Sequence, residues 1–215
     1  MNRRGRLAAW GLLVGLLIAT AYGSRASAGK PAPDVLYRYS TAVGGAIEYA
    51  VMLGFVLWIA SGERSLLALR RPDSWPRALG LGLAVLVGVL IVNAILNPLL
   101  NAGQEQGLTP HGWDSHHAAQ FAANFAVVTL VAPLVEELTY RGLGYSLLAT
   151  WGQWLAIPAT AVLFGLSHGL VEALPILAAF GFGLAWLRSR TDSAYPGMVV
   201  HGAFNALALV LAVTT

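Results

Sequence analysis

Long apolar segments alternate with short polar connections along the whole chain. Because stretches of about 17 to 24 apolar residues match a hydrocarbon core about 30 Å thick, the pattern predicts an all-α fold, a polytopic transmembrane helical bundle of about seven spans. The seven segments cover residues 7–23, 41–60, 78–100, 120–137 and beyond, 151–168, 171–187 and 195 onward.

The fourth segment is too long for one straight span. Residues 120–150 number 31, and a helix of that length would measure about 46 Å at 1.5 Å per residue. We therefore expect part of it to tilt strongly, to lie in the membrane interface or to leave the helix. The chain is expected to turn beside Gly152.

Composition agrees with a membrane protein and narrows the possible chemistry. The 215 residues are 57% hydrophobic and 11% charged, whereas an ordinary soluble domain is roughly 25% charged. The absence of cysteine excludes a disulfide framework, a thiolate nucleophile, a zinc–thiolate site and an iron–sulfur cluster. The basic residues lie between apolar segments and form no patch with exposed aromatic side chains, so we expect membrane lipids and no nucleic acid as partners.

The basic residues also predict an orientation. With a cytoplasmic N-terminus, ten basic residues fall on the inner side and three, Arg25, Lys30 and Arg38, on the outer side, as the positive-inside rule requires. We expect an integral membrane protein, and the arginine- and glycine-rich composition favours a bacterial plasma membrane. The first segment also resembles a signal peptide, but its length of about 17 residues favours a retained span.

Few ionisable residues lie within or beside the apolar segments. Each is costly there, by at least about 2.5–3.5 kcal/mol on insertion scales, and is therefore a functional candidate. They are Glu48, Glu136, Glu137, Arg141, His168, Glu172 and His201.

Glu136, Glu137 and Arg141 form the first polar group. Glu137 and Arg141 stand four positions apart on one helix face and can neutralise each other. Adjacent glutamates project about 100° apart on a helix of 3.6 residues per turn, so Glu136 stays free to act. A structural ion pair beside a solvated glutamate is the alternative.

Two further groups contain histidine. Phe164 and His168 share one helix face, and so do His201 and Asn205. The competing interpretations are an interfacial histidine and polar contacts between helices.

The expected hairpin favours one shared site. Glu136 and His168 each lie 16 residues from Gly152, so an antiparallel hairpin would place them at the same depth. His201 would need a broken helix near Pro175, or strong tilt, to join them.

The ordered set Glu136-Glu137-x-x-x-Arg141, Phe164-x-x-x-His168 and His201-x-x-x-Asn205 resembles the motifs of the CAAX-processing and bacteriocin-immunity (CPBP, or ABI) family of intramembrane proteases. These are relatives of the type II CAAX prenyl endopeptidases. The resemblance covers residues 120–213, and implies a protease core at 119–215 preceded by about three N-terminal transmembrane helices at 1–118. It implies an intramembrane endopeptidase acting on a membrane-associated protein or peptide; the alternative is a non-catalytic binding, immunity or scaffold protein of the same family.

The resemblance also implies roles for the residues. Glu136, helped by His168, would activate a water; His201 and Asn205 would stabilise the oxyanion; Glu137 and Arg141 would hold the geometry. In a metalloprotease, His168, His201 and a glutamate would instead bind a divalent metal such as zinc. The chain lacks the His-Glu-x-x-His signature of zincins, which favours glutamate-driven chemistry, with no cofactor certain.

Overall fold

The computed structural model describes residues 1–28, 34–105 and 112–214. In these ranges all seven predicted segments form helices and no strand is present, so the all-α prediction is confirmed. The helices are α1 (Arg3–Ala28), α2 (Tyr39–Ile59), α3 (Trp75–Leu100), the short α4 (Ala102–Glu105), α5 (Ala118 to Trp151), α6 (Gln153–Leu166), α7 (Leu174–Thr191) and α8 (Tyr195–Thr214).

Five of the described helices are long and apolar enough to cross a membrane: α1, α2, α3, α5 and α8. The other two large helices differ. α6 has 14 residues, which is about 21 Å of helix, and α7 carries Arg188 and Arg190 in its last turn. The chain is thus an integral membrane bundle with a span count near the prediction. The orientation stays a prediction, and Lys30, which contributed to it, lies outside the described residues.

The long α5 stays helical from Ala118 to Trp151 but changes its hydrogen-bond register twice. Val127–Val131 and Leu138–Gly144 are π-helical, and all seven residues of the second segment are buried. Side chains from other helices donate hydrogen bonds to backbone carbonyls of this second segment. Trp10 Nε1 donates to Thr139 O (2.9 Å) and Arg188 Nε donates to Arg141 O (3.1 Å). The predicted turn follows, with Gly152 at φ 105°.

The α6–α7 hairpin is closely packed because glycines face the partner helix at two points. A Cβ added at Gly165 would lie 3.3 Å from the Ala178 amide nitrogen, and one at Gly181 would lie 2.9 Å from Ala161 Cα. Small residues permit such backbone approach between membrane helices.

The connection between α7 and α8 meets the middle of α5. Arg188 contacts the Arg141 carbonyl, and Gly197 in α8 lies directly against Glu137. His201 therefore reaches the level of the glutamates. The helix is not broken at Pro175, which stands in the first turn of α7.

Asp192 ends α7 in a left-handed conformation, with φ 49°. Its carboxylate pairs with Arg188 at 2.7 Å and with Arg70 at 2.6 Å. Burial opposes ionisation, but these hydrogen bonds outweigh it and hold the pKa of Asp192 below its ordinary value.

Candidate active site

A cavity of about 590 Å³ opens between α1, α2, α5, α6, α7 and α8. This volume lies in the usual range for small-ligand sites. Four predicted site residues line it, Glu136, His168, His201 and Asn205, among mostly apolar neighbours. Two others, Glu137 and Arg141, are fully buried and are not part of the lining.

The two carboxylate oxygens of Glu136 differ in their hydrogen bonding. Its Oε1 accepts a hydrogen bond from the Tyr49 hydroxyl at 2.6 Å. Its Oε2 has no hydrogen-bond partner among the described residues and lies 3.7 Å from His201 Nε2. The side chain is buried yet belongs to the cavity lining, so Oε2 is a buried acceptor beside the cavity that no described donor satisfies.

Glu137 and Arg141 form a buried ion pair outside the cavity lining. Glu137 Oε1 lies 3.0 Å from Arg141 Nη1, with both side chains fully buried. Arg141 Nη2 donates to Gly181 O at 2.9 Å, and the guanidinium lies 4.4 Å from the centre of the Phe164 ring. This network ties α5 to α6 through Phe164 and to α7 through Gly181.

His201 lies between the two glutamates. Its Nδ1 is 3.2 Å from Glu137 Oε1, while Nε2 faces Glu136 Oε2. The rings of Phe164 and Phe180 contact the imidazole edge to face, at centroid distances of 5.6 and 5.0 Å. Glu137 therefore orients the ring so that Nε2 is the nitrogen directed at Glu136.

His168 follows the last turn of α6. Its Nδ1 lies 2.7 Å from the Phe164 carbonyl. Because a carbonyl only accepts hydrogen bonds, Nδ1 must carry the proton, and in the neutral ring Nε2 is then the basic nitrogen.

A buried carboxylate holds the connection after His168. Glu105 accepts hydrogen bonds from the amides of Val171 (2.8 Å) and Ala173 (2.9 Å). It also pairs with Arg25 at 2.6 Å. The end of α1 and the short α4 thereby fix the histidine-bearing turn from outside the α6–α7 hairpin.

Asn205 in α8 donates a hydrogen bond to a backbone carbonyl of α5, and Pro133 and Gly202 explain why this contact forms. In the first π segment the Ala132 amide donates to Val127 O, five residues back. With the same five-residue spacing, the donor to Val128 O would be residue 133, but this residue is a proline and has no N–H. The Asn205 amide donates to that carbonyl instead, at 2.9 Å. Gly202 permits the approach, since a Cβ there would lie 2.6 Å from Thr129 O.

The described residues bring together no group of three or more His, Cys, Asp or Glu side chains placed to hold a metal ion. The proposed ligands His168 and His201 share the cavity but do not form such a cluster with a glutamate. Metal binding stays a prediction.

Sequence reasoning missed Tyr49, Arg25 and Glu105. Tyr49 lies in an apolar helix where one tyrosine carries no distinguishing signal, and Glu105 lies in the polar connection after the third apolar segment, outside the three motifs. Two ionisable candidates are on the surface: Glu48 and Glu172 are exposed and absent from the cavity lining.

Comparison with known protein families gives one match. Residues 118–207 match the family model described as type II CAAX prenyl endopeptidase Rce1-like. All six predicted site residues lie inside this region. Comparisons with the curated proteins and with the solved structures give no match.

Proposed function

Since residues 118–207 match the family model described as type II CAAX prenyl endopeptidase Rce1-like, we propose that the protein is an intramembrane endopeptidase. It would hydrolyse a peptide bond of a membrane-associated protein or peptide. The observation that carries the proposal is Glu136 Oε2, a buried carboxylate oxygen without a hydrogen-bond partner among the described residues, beside an apolar cavity that two imidazoles also line.

Glu136 would act as the general base. A carboxylate within about 3 Å of a water can take its proton as the oxygen attacks the peptide carbonyl. Tyr49 occupies Oε1, so Oε2 is the oxygen for this task. The proton then passes to the leaving amine, and His168, with its basic Nε2, assists in holding the water.

His201 and Asn205 would stabilise the oxyanion. One such donor in a water-poor site is worth about 2.7–4 kcal/mol. Because His201 Nδ1 faces the Glu137 carboxylate, donation from Nε2 requires the doubly protonated ring. Asn205 uses one amide proton for Val128 O, and its NH₂ group has a second.

The substrate class follows from the cavity and the predicted host. The lining is mainly apolar, which suits a hydrophobic segment. A bacterial host does not ordinarily supply a prenylated carboxy-terminal cysteine, so we propose an unprenylated substrate in the bacterial plasma membrane. A zinc-dependent mechanism through His168 and His201 is the alternative; a chelator that abolishes cleavage would favour it.

The test compares protein termini by mass spectrometry in cells that express wild type, Glu136→Gln or Glu48→Gln at matched levels. Glu48→Gln is the control, because this carboxylate is exposed and outside the cavity lining. New termini with wild type and Glu48→Gln, absent with Glu136→Gln, would support proteolysis and identify the substrate. Identical termini in all three, with every variant inserted, would contradict it and favour a non-catalytic binding, immunity or scaffold role.

A further inference from the structure

Tyr49 is a polar side chain that α2 contributes to the cavity. Its hydroxyl lies 2.6 Å from Glu136 Oε1, and its side chain packs against buried hydrophobic side chains of the protein core. It lies outside the region that matches the Rce1-like family. Helix α2, which precedes the matched region, therefore contacts the carboxylate on which the proposed chemistry depends.

The contact affects the orientation of Glu136. A carboxylate on a flexible side chain can present either oxygen and can rotate about its last bond. Tyr49 holds Oε1, and His201 Nε2 lies near Oε2. With Oε1 held, the carboxylate plane is restricted and the unpartnered Oε2 is the oxygen that can receive a proton.

We propose that Tyr49 is a positioning residue of the active site: by donating to Oε1 it sets Glu136 Oε2 toward the attacking water. This inference rests on the proposed role of Glu136 as the base. A structural role for Tyr49, merely satisfying a buried carboxylate, would change stability and folded yield without a selective effect on turnover.

The experiment measures turnover by full-length Tyr49→Phe in detergent micelles. The substrate is a synthetic peptide spanning the first cleavage site mapped by the termini comparison. Because small misplacements of a catalytic group can cost on the order of 100-fold, we expect kcat per folded protein to fall by about 10- to 100-fold. KM should change by no more than about twofold, since ground-state binding is not altered.

The control is Tyr39→Phe, on the same helix but exposed, which should behave as wild type. Wild-type kcat in Tyr49→Phe would overturn the proposal, as would a loss explained entirely by folded yield. No cleavage by the wild type would overturn it together with the proposed function.

Discussion

Replacing Asn205 by leucine separates the two roles open to its amide, a bond between helices and an oxyanion donor. The Val128 carbonyl accepts from Asn205 because Pro133 supplies no N–H to it. In Asn205→Leu this carbonyl loses its donor. The loss of stability caused by Asn205→Leu should therefore depend on whether residue 133 has a backbone N–H.

The size of the effect follows from this geometry. Leaving a fully buried acceptor without a donor costs about 1–3 kcal/mol. The Asn205–Val128 contact is partly buried, and measured hydrogen bonds between membrane helices reach at most about 1.7 kcal/mol. We expect Asn205→Leu to lower the free energy of unfolding by about 1–2 kcal/mol. In a Pro133→Ala background the new amide can donate to Val128 O, as Ala132 does to Val127 O, and the loss should shrink to below about 0.5 kcal/mol.

The assay is a double-mutant cycle of Pro133→Ala and Asn205→Leu, with reversible unfolding in micelles and cleavage of the mapped peptide measured on the same samples. As an oxyanion donor, Asn205 is worth about 10²–10³-fold in kcat, and Pro133→Ala should not restore that loss. Additive stability effects would refute the argument from the proline. Recovered cleavage in the double variant would refute the oxyanion role.

Three further predictions concern the buried network and the α7 terminus. Arg141→Met should lower the free energy of unfolding in micelles by about 3–5 kcal/mol, because it leaves Glu137 buried without its partner; a loss no greater than that of a surface arginine variant would contradict this. Gly197→Ala should cost about 1–3 kcal/mol and reduce cleavage, because its Cβ would overlap the Glu137 carboxylate. Gly88→Ala, whose added Cβ would have no packing neighbour within 4 Å beyond the adjoining backbone of its own helix, should be neutral in the same two assays. The pKa of Asp192 is lowered in the folded state, so its contribution to stability is complete above its unfolded pKa of about 3.9 and is lost as the pH falls through the lower folded value. Asp192→Asn should therefore weaken the acid dependence of thermal unfolding, and an unchanged dependence would disprove the linkage.

The positions of the helices and the chemistry of the motifs could be read from the amino-acid order. Seven apolar segments become helices, since a bilayer requires backbone hydrogen bonds to be satisfied within each segment. The Glu137–Arg141 pair followed from helical spacing and is present at 3.0 Å. The roles of the six site residues remain predictions.

The sequence by itself determined the helical segments, the turn beside Gly152 and the ion pair within α5, because these depend on hydropathy and on spacing of a few residues. Only the tertiary structure decided which groups meet across long separations. Tyr49 reaches Glu136 and Glu105 holds the turn after His168, contacts set by how the N-terminal helices pack on α5–α8. His201 reaches the glutamates because the α7–α8 turn lies against the middle of α5. Helical periodicity carries no information about such packing, since it defines the face of a helix and not the depth at which another helix meets it.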